Sequence, residues 1–290
     1  MNHKEVEMKK RKISMNWWNN EADKPIAISM VIIHLLALGV FFPQFFSWSG
    51  LAVFFLMYYI SGGLGITLCY HRLLTHRSFK TFPLVKYALA CFACLAFQGP
   101  PITWVGVHRH HHKHSDKEDD PHSPEHGFNW AHILWTMTKT YNEPKWEEFA
   151  LDLKKDRVMR FLTKFWWLNQ ALAILILLII GYLVGGYELA ISWFVWDMFR
   201  IVCVWHATWF VNSACHTWGY KNFTDTDDNS KNLWWVSLIS FGEGNHNNHH
   251  AKPSSAAHGM KWHEFDPTYY LILLMEKFGL FWNVKHPEKI

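Results

Sequence analysis

Between Lys24 and Arg72 the chain runs for 47 residues without one Asp, Glu, Lys or Arg. At the helical rise of 1.5 Å per residue this is about 70 Å of uncharged helix, enough for two passes through a hydrocarbon layer about 30 Å thick. A water-soluble globule has no use for such a run. Half of the 290 residues are apolar, yet 18% are charged, so charge is concentrated outside a few apolar stretches. The net charge of +4, with no basic stripe interleaved with stacking aromatics, excludes a nucleic-acid partner.

Four membrane spans are expected, at about 26–46, 50–70, 165–185 and 189–216. The connections at 47–50 and 181–188 hold no Lys or Arg. Positively charged loops stay cytoplasmic, so both termini and the 72–164 segment are expected on that face. Residues 1–24 form a polar tail with the cluster Lys9, Lys10, Arg11, Lys12. No small-residue cleavage site follows, and the first span is expected to be retained. The uncharged stretch 87–107 is broken by Gln98, Gly99, Pro100 and Pro101. That leaves it too short to span, and an interfacial helix over about 83–98 is expected. The fold class is an all-α integral membrane protein. Four transmembrane helices carry a cytoplasmic helical cap, with 25–290 as a single domain. Asp266 and Pro267 read as an N-cap and first-turn proline opening a late helix on that cap. The five cysteines lie in or beside apolar runs and read as packing residues.

Twenty histidines are several times the ordinary complement, and they crowd into four tracts. These are His71 to His76 with the spacing HxxxxH, His108 to His112, Asn212 to His216, and His246 to His250. The second and fourth share HxxHH. Positions i, i+3 and i+4 lie on one face of a helix, so three imidazoles can converge there, and Asn212 and His216 are likewise i and i+4. Nine convergent imidazoles exceed the coordination of any single ion, so a site for two metals is expected. Imidazole suits iron, copper, nickel and zinc alike. The isolated His34 is expected to be structural, and His110 and His114 to point away from the ligands. Glu243, three residues before His246, forms only a lone Glu-x-x-His. Asp197 and Arg200, i and i+3 inside an apolar run, are expected to neutralise one another. A histidine-rich metal transporter or sensor would place its ligands within the spans, whereas these lie at their cytoplasmic ends.

The stretches HRLLTHRSF, HRHHHKHSD followed by DPHS, ATWFVNSACH and GEGNHNNHH resemble, in order and spacing, the boxes of the integral-membrane fatty acyl desaturases. The resemblance is to the delta-9 branch, of the bacterial and cyanobacterial type. The last box opens on His246 rather than the Gln of front-end enzymes, and the first box is HxxxxH rather than the HxxxH of methyl-end enzymes. The resemblance implies two irons ligated by His71, His76, His108, His111, His112, His216, His246, His249 and His250. It implies that Asn212 reaches one iron through water. It further implies that O2 and two external electrons introduce a cis double bond into a saturated acyl chain held in a kinked tunnel at Gln98, Trp104, Thr208 and Trp209. Where acyl-CoA desaturases carry charged residues before the second box, this chain has Gly106 and Val107. A lipid-linked acyl chain is therefore favoured over acyl-CoA. No haem-binding or flavin domain is fused, so electrons are expected from a separate ferredoxin or small haem protein. Phe55 and Tyr59, 16 and 12 residues before His71 on one helical face, are expected to close the methyl end of the tunnel. The alternative is a hydroxylase or alkane monooxygenase of the same histidine-box class.

Overall fold

The computed structural model describes residues 21–288; most of the N-terminal tail lies outside the described residues. The described residues are mostly helical. Helix α1 (Lys24–Ala37) is opened by Asp23, whose carboxylate accepts from Ile26 N at 3.3 Å. A 3-10 turn extends it to Phe41, and the chain then breaks at extended Phe42 ahead of Pro43. The first apolar run is therefore helical to 41 rather than 46, because Pro43 cannot continue the hydrogen-bond ladder. Helix α2 (Trp48–Tyr58) is opened by the Ser47 hydroxyl, which accepts from Gly50 N at 2.9 Å. It continues without a break as a π-helix from Tyr59 to Thr75.

Helix α3 (Pro83–Cys94) ends four residues short of the expected 98. The chain leaves it through Phe97 and Gly99, both at positive φ, and re-enters helix at α4 (Pro101–His114). Short helices α5 (Phe128–His132) and α6 (Leu151–Lys155) follow. The Asp156 carboxylate then caps α7 (Arg157–Lys164) by accepting from Val158 N and Met159 N.

Helix α8 (Trp166–Thr217) is a hairpin. Its backbone leaves helical geometry at Gly185 and Gly186, and a Cβ on Gly181 would stand 2.8 Å from Ala190 Cα. Gln170 donates to Asp197 at 2.8 Å, although 27 residues of straight helix would separate them by about 40 Å. The two arms, 166–184 and 187–217, are thus antiparallel. At their interface Arg200 pairs with Asp197 at 2.6 Å, both side chains fully buried, which is the mutual neutralisation expected from their spacing.

The cap is completed by α9 (Trp234–Ile239), α10 (His246–Ala251) and α11 (Pro267–Lys277). Asp266 caps α11 as expected, accepting from Tyr269 N at 3.1 Å. A short antiparallel pair, β1 (Lys80–Thr81) with β2 (Phe281–Trp282), ties the C-terminal end to the segment after α2. The principal core joins Tyr70, Leu73, Phe79, Ala93, Val105, Met159 and Ile272 from α2, α3, α4, α7, α11 and the segment after α2. Among the described residues, three helical runs are by length and composition able to cross a membrane: Lys24–Phe41, Trp48–Thr75 and Trp166–Thr217. Val31, Ile32, Leu35, Leu175, Ile179 and Leu183 are all exposed on their outer faces. Exposed apolar side chains on helical runs of this length are compatible with a membrane protein.

Candidate metal centre

The nine box histidines converge as two groups: His71, His76, His108, His112 and His249 in one, His111, His216, His246 and His250 in the other. Within each group the ligand atoms lie within 4.8 Å of one another. Each HxxHH box serves both groups. His108 and His112 of α4 face the first and His111 the second, while His249 of α10 faces the first and His246 and His250 the second. The first box works by a different geometry. In an α-helix residues five apart sit about 140° round the axis, but the i→i+5 bonding of a π-turn stacks them one above the other. His76 N donates to His71 O at 3.1 Å, and the two rings meet at 4.8 Å.

The donor set fits metal ions. Nε2 faces Nε2 between His71 and His249 at 3.1 Å, His112 and His249 at 2.9 Å, His108 and His112 at 3.1 Å, and His216 and His246 at 3.0 Å. The edge of an octahedron with bonds of roughly 2.1 Å to imidazole nitrogen is about 3.0 Å. The Nε2 atoms of His76, His111 and His250 are buried with no hydrogen-bond partner. Burial, reinforced by neighbouring imidazoles, holds His76, His108, His111, His112, His246 and His249 well below the ordinary imidazole pKa. Neutral imidazole is the form that ligates.

Behind four of these rings stands a carboxylate. Nδ1 of His71 bonds Glu243, His111 bonds Asp120 at 2.9 Å, His216 bonds Asp116 at 3.0 Å, and His250 bonds Asp228 at 2.6 Å. With Nδ1–H donated backwards, the Nε2 lone pair is directed into the centre. Burial alone would raise the Asp228 pKa, but the His250 hydrogen bond and charge outweigh it and keep the carboxylate ionised. Glu243 is held in turn by the fully buried Arg72, which also grips Asp266 at 2.8 Å. Helix α10 is fixed by amides: Asn232 Oδ1 accepts from Asn247 N and Asn248 N, and Asn248 Nδ2 donates to Glu264 at 2.8 Å.

An apolar cavity runs past the centre. His71, His108, His246 and Asn212 border it beside the metal groups, and Gln98, Trp104, Thr208 and Trp209 also line it. Gln98 Nε2 donates to Thr208 Oγ1 at 2.8 Å, and Trp104 Nε1 donates to Gln98 Oε1 at 3.4 Å. The Trp104 ring stacks on His108 at 5.1 Å, so this polar knot is mechanically joined to a metal-facing residue. The structure does not bring Phe55 and Tyr59 into the wall. They are 62% and 42% exposed on the outer surface. Tyr58, Gly62 and Ile66, spaced by four, form the lining face of that helical run, and Tyr58 OH donates to Ile239 O at 2.6 Å. Tyr59 instead lies edge-on behind the lining residue Phe241.

The sequence profile described as fatty acid desaturase matches residues 46–284. The chain belongs to the fatty acid desaturase family. An sn-1 stearoyl-lipid 9-desaturase of Anabaena variabilis is 44% identical over 280 residues, covering 96% of this chain and 97% of the relative. An sn-2 palmitoyl-lipid 9-desaturase of Nostoc sp. (strain 36) is 42% identical over 248 residues, 84% of each. An icosanoyl-CoA 5-desaturase of Limnanthes douglasii is 43% identical over 275 residues, 93% of this chain and 74% of the relative. These matches bear out the resemblance drawn from the histidine boxes and make the chain an oxidoreductase acting on fatty acyl groups. They do not favour the hydroxylase alternative.

Several residues of this desaturase centre escaped sequence reasoning. Asp116 and Asp120 stand in or beside the second box, but nothing in their spacing says which imidazole they hold. Asp228 lies 22 residues from His250 and carries no motif. His258, fully buried with its ring 4.3 Å from that of His249, is isolated in sequence. As expected, His110 turns away, its Nε2 on Asp119 O at 2.8 Å, and His34 pairs with His206, outside both metal groups.

Proposed function

We propose that this desaturase introduces a cis double bond at the delta-9 position of a saturated acyl chain esterified in a membrane lipid. The observation that carries the reading is the apolar cavity, which borders both histidine groups and is lined by a hydrogen-bonded knot of Gln98, Thr208 and Trp104. The nine histidines would hold two irons, with Asn212 as a partner through water. Bound there, the irons supply, with O2 and two electrons from a separate ferredoxin or small haem protein, the oxidising power to remove hydrogen from adjacent methylenes, which no side chain offers.

The chain's own residues do the rest. Asp116, Asp120, Asp228 and Glu243 keep four imidazoles in the ligating tautomer and orientation. The Gln98 knot bends the acyl chain beside His108, and the apolar walls exclude water from the reacting carbons. A lipid-linked substrate is supported by two of the relatives named above, although the CoA-linked one is as similar. Gly106 adds a structural argument. A Cβ there would lie 2.0 Å from Trp146 O, so the backbone leaves no room for the charged side chain that acyl-CoA enzymes carry at this point. The exposed apolar residues on these runs support four membrane crossings, by the helical runs 24–41 and 48–75 and both arms of α8. The Lys and Arg pattern supports a cytoplasmic position for the centre and both termini.

Expression in a host devoid of desaturase activity tests this. Gas chromatography of separated lipid classes should show 9-monounsaturated chains in complex lipids only when the gene is present. Product first appearing in the acyl-CoA pool would reverse the choice of carrier, and hydroxylated chains would reverse the reaction class.

A further inference from the structure

The segment linking α3 to α4 carries Gln98, and its backbone is strained. Phe97 has φ 55° and Gly99 φ 101°; a bulky residue in the left-handed region persists only where its surroundings impose it. Four consecutive carbonyls of this segment are each taken by a side chain from elsewhere. Arg200 Nη1 donates to Leu95 O, Trp205 Nε1 to both Ala96 O at 3.0 Å and Phe97 O at 3.1 Å, and Tyr141 OH to Gln98 O at 2.6 Å. The donors are themselves anchored. Arg200 is fully buried against Asp197 and Gln170, and Trp205 is 3% and Tyr141 9% exposed. Tyr141 closes directly over Gly99, where a Cβ would meet its hydroxyl at 2.7 Å.

Satisfying carbonyls at a helix end is ordinary, and one donor or a water usually suffices. Here the clamp does more than satisfy. It grips the peptide whose side chain forms the bend, and through Trp104 that bend is stacked on His108. The separation between bend and metal centre therefore depends on where these donors hold the backbone. Successive carbons of an extended acyl chain advance by roughly 1.3 Å, and a misplacement of about 1 Å is enough to redirect a reaction.

We propose that Tyr141 and Trp205 are positioning residues that set which carbon pair is desaturated, by clamping the backbone of residues 96–98. The proposal rests on the reading of the protein as a positional desaturase. Tyr141→Phe removes one hydroxyl and keeps the ring, and Trp205→Phe removes the indole N–H; both are compared with Tyr269→Phe, whose hydroxyl bonds the distant His286. In a desaturase-free host, double-bond positions are read by mass spectrometry of dimethyl disulfide adducts and protein by immunoblot. Wild type and Tyr269→Phe should give one positional isomer. Tyr141→Phe should raise the share of a neighbouring isomer about tenfold. In purified protein, independently of turnover, amide exchange across 96–99 should accelerate by a similar factor. If Tyr141→Phe does not accumulate, Trp205→Phe decides by the same readouts. Lower yield with an unchanged isomer ratio and unchanged exchange overturns the proposal. Wild-type product lacking the 9-isomer would instead overturn the functional reading and leave the exchange result to judge the clamp.

Discussion

His112 and His249, 137 residues apart, face each other Nε2 to Nε2 across 2.9 Å. Two imidazole lone pairs at that separation repel unless a proton or a cation lies between them. The neighbouring imidazoles oppose the proton, since each further positive charge would sit among rings already held neutral by burial. A cation satisfies every ring at once. Protein purified from iron-replete cells should therefore carry about two irons per chain. Elemental analysis giving one metal, or stoichiometric zinc despite added iron, would refute the assignment. His249→Ala should lose both the metal and all activity while remaining in the membrane. His34→Ala, outside both groups, should retain activity.

The carboxylates behind the ligands should control affinity rather than folding. Asp228→Asn keeps the shape of the side chain but weakens the hold on His250 Nδ1 and permits the wrong tautomer. Iron affinity should fall by about 10- to 100-fold, with membrane levels unchanged. Competition with a graded chelator measures it, and an unaltered affinity would mean that His250 is oriented by packing alone.

The metal-free protein should lose stability on mild acidification. Burial and neighbouring charges lower His122 to about 3, and burial together with Arg72 lowers His258 to about 4, with His76, His108, His111, His112, His246, His249 and His250 depressed in the same direction. The unfolded chain takes up these protons near the ordinary value of about 6.5. The folded state is thus at full stability above that pH and loses it progressively as pH falls through 6 and 5 toward the depressed values. Thermal unfolding of metal-free protein in detergent should show the midpoint dropping between pH 7 and pH 5. A flat profile would show that the rings are solvated rather than buried.

Chain-length preference should respond to Tyr58. Its side chain lines the cavity, and its hydroxyl is tied to Ile239 O. Tyr58→Ala should shift products toward longer chains without moving the double bond, because the path from headgroup to metals is untouched. Tyr59→Ala should leave the profile unchanged. Gas chromatography of total acyl chains distinguishes them, and a shift with Tyr59→Ala alone would place the tunnel end on the face expected from helical spacing.

Much of this protein was legible in its residues, and the reason is locality. A 47-residue uncharged run dictates helices in lipid whatever surrounds it, since hydrocarbon offers no partner to an open backbone. Repeated HxxHH puts imidazoles on one helical face, and nine of them demand more than one ion. The cap at Asp266 is likewise fixed by its own neighbours. Only the tertiary structure decided how the nine rings divide. The rings of an HxxHH box fan out over one helical face, and the partner helix chooses which ring faces which group. The π-turn that stacks His71 on His76 runs through a stretch containing Gly62, Gly63 and Gly65. There α3 packs close enough that a Cβ on Gly65 would meet Ala93 backbone at 2.6 Å, a contact no window along the chain reports. Tyr58 rather than Tyr59 lines the cavity, and Asp228 rather than a residue of the boxes steadies His250. Both are matters of which surfaces meet across long separations in sequence.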